Sequence, residues 1–251
     1  MKALFALTLL VLSTLAQAGQ LLDIRIIDRS TGRALDTWRH QGKIYVVGAP
    51  GKRYAVQLNN RSSGRLLSVI SVDGVNAVSG ETAATGQAGY VLTAGQRADI
   101  AGWRKNMDEV AAFYFTSVSD SYAGRTGRPQ HTGVIGVAVF REWEPPRISL
   151  PLAAPEPTSA AEAGSRDAAA PRAEMNRQQA SKTARLGTGH GERLQARTEN
   201  TVFRRVSEQP DEIIRIYYDS RPNLIARGII PRPQHRLPEA FPGGFVPDPQ
   251  G

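Results

Sequence analysis

SVDG (71–74), AGYVL (88–92), IAGWR (100–104), VAAFYF (110–115) and GVIGVAVF (133–140) follow one another in the run from Gly51 to Phe140. Each is a short apolar segment, and glycine punctuates the series. Runs of this length, rich in Val, Ile, Phe and Tyr and bounded by turn residues, read as strands. Asp73-Gly74 is a turn in which glycine supplies positive φ. Gly133 and Gly136 inside the last run mark a bulge or the close approach of another backbone. Ser117 to Thr132 is a long polar loop between the last two strands, of a length that in compact domains is often functional or mobile.

The same rhythm extends upstream. In Leu21–Asp28 apolar residues at 22, 24 and 26 alternate with charges at 23 and 25, the pattern of a half-buried strand. Lys43–Val47 and Tyr54–Asn59 are further strands, and Asn59–Gly64 is turn chemistry ahead of Leu66–Val72. Downstream the composition changes at Glu144-Pro145-Pro146 and becomes Ala-, Pro-, Glu- and Ser-rich, as in a flexible linker. Thr201–Arg205, Asp211–Tyr218 and Leu224–Ile230 look like strands again, with a turn at Asp219–Asn223. From Pro231 the repeated prolines predict an extended tail. The expected organisation is all-β. A signal peptide (1–18) precedes an antiparallel, sandwich-like domain (20–145), a disordered linker (146–180), and a small β-rich C-terminal region with its Pro-rich tail (181–251).

Lys2, the apolar core Ala3–Leu15 and the small-residue site Ala16-Gln17-Ala18 form the signal peptide. The core falls short of the ~20 residues that span a bilayer, and no later segment reaches that length. An exported chain, periplasmic or secreted, is expected to start at Gly19. There is no cysteine, which rules out disulfides, thiol catalysis and thiolate metal sites. The formal net charge is +8 and arginine outnumbers lysine. Such a chain favours anionic surfaces.

The series VDG (72–74), GYVL (89–92), IAGWR (100–104), VAAFYF (110–115), SYAGRTGRP (121–129) and GVIGVAVF (133–140) resembles a group of uncharacterised exported proteins of Gram-negative bacteria. The resemblance continues through LGTGHGE (186–192), IRIYYDSRPNLIARGIIP (214–231) and FVPDP (245–249). It implies a β module paired with a C-terminal block. It implies no activity, ligand or catalytic residue.

The catalytic inventory is thin. The four histidines are scattered, and no HExxH or GxSxG occurs, so no metal or cofactor is expected. His190 and Glu192, in a glycine-rich stretch read as a turn, are an alternative acid–base pair, and Asp73 at a strand end is an alternative carboxylate. Trp103 and Arg104 suit stacking on a sugar or base and pairing with an anion, or else Trp103 anchors the core. Tyr122, Arg125 and Arg128 lie on the long loop. If that loop folds toward Trp103, these residues make a basic, aromatic patch. The expected function is a non-enzymatic exported binding or envelope-associated protein, with an anionic polymer or glycan as partner. The alternatives are an envelope hydrolase with an unfamiliar site and a structural subunit. The Pro-rich tail, with Phe241 and Phe245, is a candidate docking segment for a protein partner.

Overall fold

The computed structural model describes residues 21–145 and 185–232. The stretches expected to be signal peptide and linker, and the expected tail beyond Arg232, lie outside the described residues. The strands are β1 (Leu22–Asp28), β2 (Thr37–His40), β3 (Lys43–Gly48), β4 (Tyr54–Asn60), β5 (Leu66–Val72), β6 (Val75–Asn76), β7 (Tyr90–Leu92), β8 (Arg97–Ile100), β9 (Gly102–Arg104), β10 (Glu109–Ser117), β11 (Val134–Arg141), β12 (Leu186–Gln195) and β13 (Glu212–Ser220). Among the described residues two short α-helices, α1 (Tyr122–Arg125) and α2 (Arg221–Ala226), complete an all-β fold.

The described residues form three sheets, in the orders β1-β4-β8, β12-β10-β9 and β2-β3-β13-β11-β5-β6, with β7 also on β5. Strand alternation explains the layering. On β5, Leu66, Ile70 and Val72 join a core cluster that draws on all three sheets. Leu67 and Val69 point the other way and join Ala138 and Phe140 in a second cluster. Successive side chains of a strand face opposite sides, so a run such as LLSVISV, apolar in both phases, must be covered on both. A third cluster holds Tyr45, Leu224, Ile229 and Ile230. It is the contact through which α2 and the residues after it cover β3.

The C-terminal strands do not form a region of their own. β12 pairs with β10 from Glu109↔Gln195 to Ser117↔Leu186. β13 lies between β3 and β11, parallel to β3 and antiparallel to β11, so the largest sheet is mixed rather than antiparallel throughout. The alternation in DEIIRIYYD records only that one face is buried. It carries no information about which strand, more than 70 residues away, will pair with it.

Other expectations change for local reasons. Residues 186–192 are strand, not turn. The glycines there serve close approach: a Cβ at Gly189 would collide with the Tyr114 ring, and one at Gly187 would lie 2.5 Å from Ser121 Cβ. Residues 224–230 begin in α2 rather than a strand. Ser220 caps that helix by accepting the Asn223 N–H, and Pro222 sits in its first turn. Residues 201–205 contribute a single bridge, Glu142↔Arg205, in place of a strand. The 117–132 loop holds α1 and a 3₁₀ turn at Pro129–His131.

Candidate functional site

The loop after β10 does fold toward Trp103. Ser121 caps α1 by accepting the Gly124 N–H at 2.9 Å. That places Tyr122 edge-on to the Trp103 ring, with centroids 4.9 Å apart. Trp103 also meets Phe113 in a T-shaped contact at 4.7 Å and lies parallel to His190 at 6.1 Å. Its exposure is 0%, so no face of the indole remains for a ligand. Trp103 is therefore the buried support of the cluster. Tyr122 and His190, 5.3 Å apart and each half-buried, carry the cluster to the surface.

Arg104 is likewise structural. Its Nε donates to Tyr90 Oη at 3.2 Å and its Nη1 to the Ala196 carbonyl at 2.8 Å, and it stacks on the Tyr90 ring. It ties β9 to the segment that follows β12. Arg125 is exposed at the end of α1. Arg128 is half-buried, and its guanidinium donates to Thr126 Oγ1 at 3.5 Å. Of the five expected ligand-binding residues, Trp103 and Tyr122 meet directly and Arg125 lies close enough for its charge to act on His190.

Lys105 and Arg193 complete the surface. Lys105 Nζ sits 5.8 Å over the Tyr122 ring. Burial beside the rings pushes the His190 imidazole down to about 4, and the charges of Lys105, Arg193 and Arg125 push the same way. Lys105 is itself lowered, by burial and then by Arg193. Arg193 has an exposed ion pair with Glu109 at 3.6 Å. Among the described residues Lys105 and Arg125 have no ion pair. The result is a group of cations around two aromatic rings, with like charges held close enough to repel. Lys105 follows Trp103-Arg104 in the sequence and was legible there. Arg193 was not, because reading 186–192 as a turn hid the strand that carries it.

The acid–base alternatives do not assemble. Glu192 pairs with Arg53 at 2.5 Å. No side-chain hydroxyl or carboxylate among the described residues hydrogen-bonds the His190 ring, as a nucleophile–base pair would require. No group of three or more His, Asp or Glu among the described residues could hold a metal ion.

Asp73 lies elsewhere, in a buried clasp. It follows β5 with φ +53° and is followed by Gly74 at +74°, the left-handed pair of the tight hairpin turn into β6. Its Oδ1 accepts the Gly133 N–H at 2.9 Å, and its Oδ2 the Thr188 N–H at 2.6 Å. The Tyr218 hydroxyl lies 2.7 Å from both oxygens. Thr188 Oγ1 joins Tyr218 Oη at 2.7 Å to Tyr54 Oη at 2.6 Å. One carboxylate thus links β4, β11, β12 and β13 to the turn after β5. Burial raises Asp73 to about 6, against hydrogen bonds that pull it down. Burial also pushes the Tyr54 and Tyr218 phenols well above their usual range. With 0% exposure Asp73 does not meet substrate; it holds the C-terminal strands in register.

Compared with known proteins, the chain matches no protein-family profile, no curated protein and no solved structure. No helix among the described residues is long and apolar enough to cross a membrane.

Proposed function

We propose that this chain is an exported, non-enzymatic binding protein that recognises an anionic polymer or glycan of the cell envelope. The signal-peptide pattern and the resemblance to exported proteins support the compartment. The single observation that carries the ligand class is Lys105 Nζ over the Tyr122 ring beside His190, with Arg125 in the same short helix as Tyr122 and Arg193 on the strand of His190. Like charges held together around apolar rings repel one another, and an anion relieves that repulsion. The rings add apolar contact for a sugar face that simple counterions do not use.

The test is binding to lipopolysaccharide, with neutral dextran as the control. The wild-type protein is expected to bind lipopolysaccharide, more weakly as salt rises, because exposed charges are screened over about 8–10 Å at physiological ionic strength. Lys105→Ala/Arg125→Ala/Arg193→Ala is expected to lose most of that binding. Its melting temperature should stay close to wild type, since exposed substitutions usually change stability by about 0.5 kcal/mol or less. Undiminished binding by the triple variant would make this face ordinary surface and give the structural-subunit alternative the lead.

A further inference from the structure

A cleft of about 600 Å³ opens between the start of β11, the start of β12, the end of β13 and α2. That is within the ~300–1,000 Å³ of small-molecule sites. It is separate from the His190 surface: no residue of that surface lines it. Two guanidiniums, Arg185 and Arg227, line it together with the carboxylate of Asp219 and the ring of Tyr217.

The donors there are under-used. Arg185 places Nη2 on the Thr132 carbonyl at 3.1 Å and makes no ion pair among the described residues. Arg227 Nη1 stands 3.8 Å from Asp219 Oδ2, a charge contact too long for a hydrogen bond. A guanidinium has five N–H donors in a planar fork that fits a carboxylate. Asp219, with a side chain 7% exposed, spends Oδ1 on the Ser220 N–H and on Asn223 Nδ2. Its Oδ2 has only the long Arg227 contact among the described residues, which leaves an acceptor for a hydroxyl. Gly133 bounds the cleft at φ +88°, where a Cβ would press on the Tyr218 carbonyl at 3.2 Å. No side chain therefore fills the space at that point.

We infer that this cleft is a second binding site, for a saccharide that carries one carboxylate. The two cations against one anion leave a net charge of one to be met by the ligand carboxylate. Asp219 accepts from ring hydroxyls, and Tyr217, whose ring also meets Tyr45 and Lys43, lines the wall beside the sugar ring. The volume suits a disaccharide better than a simple ion.

The experiment titrates the full mature chain with a glucuronyl-glucose disaccharide and, separately, with its uncharged diglucose counterpart, followed by amide NMR. The acidic sugar is expected to shift Gly133, Tyr217 and Asn223, and to bind at least about tenfold more tightly than the neutral one, as one added charged hydrogen bond implies. Arg185→Gln should abolish most of that preference, while Lys105→Ala/Arg193→Ala should leave it intact. The second variant separates failure here from failure of the His190 surface. No shift at these residues, equal affinity for the two sugars, or a preference that survives Arg185→Gln would each overturn the assignment.

Discussion

Asp73→Ala is expected to destabilise the protein by about 3–5 kcal/mol at neutral pH, the range for removing one partner from a buried charged network. The substitution strands the Thr188 and Gly133 N–H groups, each buried donor costing about 1–3 kcal/mol, and leaves the Tyr218 hydroxyl with Thr188 Oγ1 as its partner. Removing a carboxylate that is costly to bury offsets part of that sum. The melting temperature should fall by about 10 °C or more, which thermal unfolding by circular dichroism will read. The pH dependence follows from the same group. The folded carboxyl keeps its proton up to about 6, the unfolded one only to 3.8. Between these values the folded state binds more protons, so this contribution to stability is full below about 4 and falls as pH rises through 6. The raised value corresponds to about 3 kcal/mol between the two protonation states. His190 acts in the opposite sense. Its folded value near 4 lies below 6.5, so its contribution is lost as pH falls through that interval. The two partly cancel in wild type. Asp73→Asn should leave a profile that rises with pH, and His190→Gln one that falls.

Trp103→Ala is expected to cost about 3–5 kcal/mol, the usual range for deleting a core tryptophan. Trp103 has no exposed surface and supports Phe113, Tyr122 and His190 together. Its loss should also free the imidazole from burial, so that the His190 midpoint moves back toward 6.5. Denaturant unfolding and a histidine NMR titration measure the two effects. A stable variant with unchanged His190 would mean that the indole is not the support of that surface.

The strands that alternate on their own, such as β1 and β4, were legible because one face of each is buried against the core, and β11 was legible as an apolar run buried on both faces. So was the Asp73-Gly74 turn. β12 was not, because glycine reads locally as freedom, whereas Gly187 and Gly189 exist so that Ser121 and Tyr114 can press against the strand. β13 was legible as a strand but not as the element between β3 and β11, since pairing across a long insertion leaves no local periodicity. α2 was missed because the signals that start it, Ser220 and Pro222, also start turns. At the surface, the aromatic and basic composition of 103–128 singled out residues that the fold brings together, Trp103 with Tyr122 and Lys105 with Tyr122. It could not tell that Trp103 faces inward, that Arg104 is consumed by Tyr90 and Ala196, or that Arg193 arrives from the other end of the chain.

The most direct test of the polyanion surface is the titration of His190 itself, followed by NMR with and without lipopolysaccharide oligosaccharide. Free protein should show a midpoint near 4, held down by burial and by Lys105, Arg193 and Arg125. An anion seated among those cations offsets their repulsion, so the midpoint should rise by at least about one pH unit when the oligosaccharide is bound, and affinity should rise correspondingly as pH falls. Saturating oligosaccharide that leaves the His190 midpoint where it was in the free protein would contradict the account.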